Sequence, residues 1–95
     1  MELETKVIAY CAEVTEHEYD GWASVRPSGY ILAPTKELLE IKKKYLESKG
    51  SHDFYWRVSD KVSVISPTEK AIEGFSKHDS ILIGRNSLED FCGVL

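Results

Sequence analysis

The chain is poor in the residues that carry covalent or metal-assisted chemistry: its 95 residues include two cysteines, three histidines and one methionine. Cys11 and Cys92 stand near opposite ends without the CxxC spacing of a zinc or redox motif, so both are expected to be reduced core thiols. The glycines are dispersed at positions 21, 29, 50, 74, 84 and 93 and form neither GxGxxG nor GxxxxGKS/T, which leaves no Gly-rich loop to cradle a nucleotide phosphate. Ser24, Ser28 and Ser80 lie outside any GxSxG turn. No cofactor is implied. The longest apolar run, residues 7–12, has six members, whereas a bilayer-spanning helix needs roughly 20. The start Met1-Glu2-Leu3-Glu4 lacks the basic and apolar stretches of a secretory signal, so a cytoplasmic location and no membrane partner are expected. Positive charge is also short. Twelve Lys and Arg against sixteen Asp and Glu give a formal net charge of -4, which opposes duplex binding. The one basic cluster, Lys42-Lys43-Lys44, shares its segment with Glu37, Glu40 and Glu47, as on a solvated helix face.

What the chain does have is a core. A hydrophobic content of 42% in 95 residues suits one domain over residues 1–95 that folds unaided. Residues 3–14 have the composition of a central strand buried on both sides at its middle. Thr15-Glu16-His17-Glu18-Tyr19-Asp20-Gly21 reads as a polar loop of about seven residues before a second strand at 22–25. Arg26-Pro27-Ser28-Gly29 spells a turn, and residues 30–33 then form a third strand, which completes a meander.

Pro34-Thr35 opens a long helix over residues 36–49, with Gly50 at the left-handed C-terminal position. Leu38, Leu39, Ile41, Tyr45 and Leu46 share an arc of about 160°, the face that packs on the sheet. Residues 53–65 alternate, with Phe54, Trp56 and Val58 on one side and Tyr55 and Arg57 on the other. Ser59-Asp60-Lys61 then turns the chain into a second hairpin carrying Val62 and Val64. Ser66-Pro67-Thr68-Glu69 matches a capping box for a short helix that carries Ala71, Ile72 and Phe75 inward. A strand over 80–83 follows. A terminal helix then starts near Asn86 and Glu89, with an apolar stripe of Leu88, Phe91, Cys92 and Leu95.

The expected fold is α+β: a mainly antiparallel sheet of five to six strands, meander then hairpin, with one long helix packed on one face and two short helices. In its order of elements this chain resembles ubiquitin and its β-grasp relatives. It has no matching motif and lacks the diglycine tail that conjugation requires.

The functional expectation is a small, acidic, non-enzymatic protein-binding module of adaptor or inhibitor type, the general profile of immunity proteins and phage-encoded inhibitors. Its partner surface is assigned to Tyr55, Trp56, Arg57, Lys42, Tyr19 and Asp20. Tyr and Arg are enriched at interface hot spots, and Lys42 interrupts the helix's apolar arc, either snorkelling its ammonium outward or lining a cleft opposite a carboxylate. A homodimer through the terminal stripe or an edge strand is a further expectation. Two other classes remain. A small-ligand or metal-dependent enzyme would use His17, His52 or His78 with loop carboxylates, although no ligand spacing is present. Single-stranded nucleic acid would stack on Tyr55 and Trp56 near Arg57 and Lys61.

Overall fold

The computed structural model describes residues 7–19, 23–51 and 53–93. Trp22, Asp20, Gly21, His52 and Leu95 lie outside them. The described chain is an α+β fold whose six strands form one antiparallel, curled sheet. In order these are β1 (Ala9–Tyr19), β2 (Ala23–Ala33), α1 (Lys36–Glu47), β3 (Phe54–Val58), β4 (Ser63–Pro67), α2 (Glu69–Lys77) and β5 (Ile81–Gly84). A 3-10 turn (Arg85–Ser87), α3 (Leu88–Phe91) and β6 (Cys92–Gly93) complete it.

β1 is the axis of the sheet. β2 runs along one of its edges for nearly its whole length and carries β5 outside it; β3 and β4 share the other edge, and β6 adds to β4. The apolar composition of residues 9–12 requires burial on both sides, and both sides are buried. Ala12 and Val14 face α1 and pack with Ile31, Ala33, Leu39, Leu46 and Val58. Ala9 and Cys11 face the opposite way and pack with Leu32, Ile65 and Ile83 beneath Phe75, Leu88 and Phe91. Ile31, Leu32, Leu39 and Val14 are essentially inaccessible, each contributing on the order of 1.5–3 kcal/mol of transfer free energy. The helices therefore cover two faces, not one, because strand alternation sends odd and even positions of β1 into separate cores.

Several expected boundaries move. The meander is a two-strand hairpin: β1 continues through the supposed loop to Tyr19, and β2 runs straight through Arg26-Pro27-Ser28-Gly29. The turn residues form a β-bulge instead. Val14 opposes Gly29 and Thr15 opposes Pro27, so Ser28 is the extra residue. Cross-strand pairing on both edges overrides the loop-like composition of 15–19. The second hairpin is absent, since β3 pairs with residues 14–18 of β1 and β4 with residues 9–11, end to end along one edge. The Ser59 N–H still donates to the Glu13 carbonyl at 2.8 Å; Asp60, Lys61 and Val62 then leave that edge and form an excursion rather than a reversal. The resemblance to β-grasp domains is thus one of element order and of the first hairpin, and does not extend to the second.

The helices are three short ones, of twelve, nine and four residues. Thr35 caps α1, its hydroxyl accepting from the Leu38 N–H at 3.1 Å, as the Pro34-Thr35 signal implied. Leu39 and Leu46 face inward, but Ile41 and Tyr45 are 63% and 49% exposed, since the buried arc centres on residues 39, 43 and 46 rather than on 38, 41 and 45. α2 is capped by Thr68, not Ser66, because Ser66 and Pro67 are taken into β4; Ala71 and Phe75 point inward while Ile72 stays exposed. The terminal helix is a single turn, and Leu88, Phe91 and Cys92 close the second core of the domain itself.

Candidate functional site

β1 changes character at Thr15. Beyond that point it carries Thr15, Glu16, His17 and Glu18 between β2 and β3, and among the described residues no helix packs over its odd-numbered side. His17 lies directly opposite Tyr55, and their rings stack at 4.9 Å with planes 11° apart. The Arg57 guanidinium sits 5.9 Å from the Tyr55 ring centroid, and among the described residues it has no carboxylate partner. The Thr15 hydroxyl donates to the Arg57 carbonyl at 3.4 Å and lies 3.0 Å from His17 Nε2. A hydroxyl has one proton, so with that proton on the carbonyl the imidazole donates from Nε2. Val25, 59% exposed, extends this row on β2. Alternation thus divides the aromatic run: Tyr55 and Arg57 on this open face, Phe54 and Trp56 on the other, edge to face at 4.8 Å, with Trp56 against the α1 core.

The outer edge of β3 is only partly closed. Ser51 N–H donates to the Phe54 carbonyl at 2.6 Å, the Phe54 N–H donates to Ser51 Oγ at 3.3 Å, and the Val58 N–H donates to Glu47 Oε2 at 3.2 Å. Those groups all point away from β1, and the Trp56 peptide, in the same phase of the pleat, points with them. A cleft of about 440 Å³ borders this edge, lined by Glu47, Gly50, Ser51, Tyr55, Trp56 and Arg57. Gly50 keeps it open. Its backbone is not left-handed, as its C-terminal position suggested; a side chain there would strike Cα and Cβ of Tyr55.

Lys42, the other singled-out cation, lies with its ammonium 5.1 Å from the Tyr45 ring on the flank of α1 away from β3, the snorkelling arrangement. The lysine that meets a carboxylate is its neighbour. Lys43, with a side chain only 15% exposed, donates to Asp60 Oδ1 at 2.6 Å. That hydrogen bond raises the lysine above its ordinary value and lowers Asp60 below its own. A single sequence cannot indicate that the excursion between β3 and β4 brings Asp60 beneath α1. The hydrogen bond and charge of Lys49, 4.5 Å from the Tyr45 ring, lower the Tyr45 hydroxyl. Tyr19 stands in β1 opposite Ala23.

The two described imidazoles do not converge. His17 opposes Val25 at one end of β2, whereas His78 caps α2 just before β5, whose Ile81 opposes Leu32 at the other end. Seven residues of strand separate those positions, on the order of 20 Å. Among the described residues no three His, Cys, Asp or Glu side chains gather into a metal site, and no helix is long and apolar enough to cross a membrane. The cysteines meet in the second core, where burial first and the neighbouring Cys92 second push Cys11 up to about 12. Burial raises Cys92 as well. Both are protonated at neutral pH and unsuited to nucleophilic attack.

His17 is the site residue that sequence reasoning misplaced, as part of a loop. The available signal was the continuing odd-numbered register Cys11, Glu13, Thr15, His17, which matches the outward register of Tyr55 and Arg57. Comparison with known proteins finds no matching family model, no matching curated protein and no matching solved structure.

Proposed function

We propose that this chain is a non-enzymatic protein-binding module that docks on a larger partner through β3 and the neighbouring end of β1. The observation that carries this reading is the coincidence of three features on one edge: the cleft beside β3, the Trp56 peptide, unpaired among the described residues, and the His17–Tyr55–Arg57 stack, whose guanidinium has no carboxylate partner among them. A tyrosine held rigid by stacking and an arginine held over its ring give up little side-chain entropy on binding, which favours both as anchors. Glu47 and Arg57 add charges of opposite sign beside the same cleft, a basis for orienting a partner.

The other classes draw less support. A hydrolytic or metal-dependent site needs groups that converge, and the described imidazoles stand apart. A stacking platform for single-stranded nucleic acid loses Trp56, whose ring packs against the core.

The test is a pull-down with the tagged domain, wild type beside a Tyr55→Ala, Arg57→Ala double variant of unchanged circular dichroism. The proposal expects a stoichiometric protein that the double variant loses. A partner retained equally by both would place recognition elsewhere, and salt-sensitive tryptophan quenching by oligonucleotides would favour nucleic acid.

A further inference from the structure

The sheet has four stretches of edge that face outward among the described residues; two are defended, and the one formed by β6 and the first residues of β4 is broken between a two-residue strand and a three-residue remainder. The β3 edge is capped at both ends by Ser51 and Glu47, which leaves a single peptide, that of Trp56, between them. The part of β2 that β5 leaves uncovered carries the bulge, Pro27 and Arg26, all of which discourage strand addition. β5 is the exception. It ends the strand order, pairs only with β2 and reads Ile81-Leu82-Ile83-Gly84, with neither charge nor proline. Leu82 is 52% exposed and lies opposite Ile31, on the α1 side of the sheet. Lys43, bonded to Asp60, and Glu47, bonded by the Val58 N–H, tie α1 to the β3 side of the sheet, the side away from β5.

We infer that β5 is a self-association edge: two copies of this chain pair antiparallel through β5 about a two-fold axis at Leu82. Alternation permits this register, because directly opposed residues in an antiparallel pair share a face, and a two-fold at Leu82 sets Leu82 against its own copy on the α1 side. Charge selects the same register. Asp79 and Arg85 lie three residues either side of Leu82, both are exposed, and neither has an ion-pair partner among the described residues. The two-fold brings Asp79 of each copy toward Arg85 of the other, so both ends of the junction are complementary. Sliding the register by two residues removes that match. A strand from an unrelated protein would have to supply both charges itself.

The experiment is sedimentation equilibrium on the full chain over a wide concentration series. The expected mass rises from 10.8 kDa toward twice that value. Leu82→Lys, Asp79→Arg and Arg85→Asp each shift the transition to about tenfold higher concentration or more, since each charge reversal acts at both ends of the junction. The Asp79→Arg, Arg85→Asp double variant regains wild-type association, which a merely structural role for either residue would not produce. A monomer at every concentration overturns the inference, as does a dimer indifferent to these changes or a double variant no tighter than the single ones. Dimerisation only after removal of residues 1–6 would assign the edge to the chain's own N-terminus, and would equally overturn it.

Discussion

The two halves of β1 are one continuous strand and do different work. Residues 9–14 run beside β2, with β4 along residues 9–11 and β3 beginning at Val14, and helices cover both faces, so almost every side chain there belongs to one core or the other. Residues 15–19 are flanked by β2 and β3 and carry hydroxyl, carboxylate and imidazole groups, with one face uncovered. Backbone pairing is no poorer in the second half: residues 15–18 pair on both sides, whereas Ala12 and Glu13 have a strand partner only on β2. The difference lies in what alternation does with apolar and polar residues: an unbroken apolar run demands two covers, and a polar run tolerates none. Stability therefore concentrates in the first half, and a surface suited to recognition is left in the second.

The largest expected effect comes from breaking the covered half. Leu39→Ala, at a position 1% exposed on the inner face of α1, should cost about 3 kcal/mol in urea unfolding, whereas Tyr55→Ala on the open half should cost about 1 kcal/mol or less. Equal losses would erase the distinction. Gly50→Ala comes next. Its new methyl group collides with Tyr55, so the loop between α1 and β3 must shift, at about 1–3 kcal/mol, with a change in tyrosine fluorescence.

Alkaline titration sharpens the contrast from the covered side. The Cys11 thiol ionises near 9.0 when unfolded and near 12 when folded, so the unfolded state loses its proton first. Its stabilising effect is complete below pH 9 and declines as pH rises toward 12. The stability difference between wild type and Cys11→Ala should fall across that window, and a flat difference would mean the thiol is solvated. The smallest effect is that of Lys43 with Asp60. Asp60, lowered, stabilises above the ordinary carboxylate value and loses that effect as pH falls through its folded value. Lys43, raised, stabilises below its ordinary value and loses that effect as pH rises through its folded one. The Asp60 carboxylate is exposed, so the cost of Asp60→Asn should shrink in high salt.

Much of this organisation was legible in the sequence because it is written in local patterns. The two-sided burial of the first strand, the helix opened by Pro34-Thr35 and the split of Tyr55 and Arg57 from Phe54 and Trp56 all follow from period and capping. What was not legible is set by pairing at a distance. Pro27 and Gly29 spell a turn, yet a bulge accommodates them when β1 lies alongside. Ser59-Asp60-Lys61 spells a hairpin, yet Val58 and Ser63 both find partners on β1 and the chain never reverses. His17 looked like a loop residue until Tyr55 stood opposite it. The cleft depends on the close approach of Gly50 to Tyr55, which no spacing in the chain reveals.

Site-resolved amide hydrogen exchange on the free protein tests the central contrast most directly. Amides of residues 9–14 that bond within the sheet should exchange only through global unfolding, and those of residues 15–18 and 54–57 through a local opening of lower free energy, hence measurably faster. Uniform protection along the whole of β1 would contradict the account, because a strand sealed equally at both ends has no half set apart for binding.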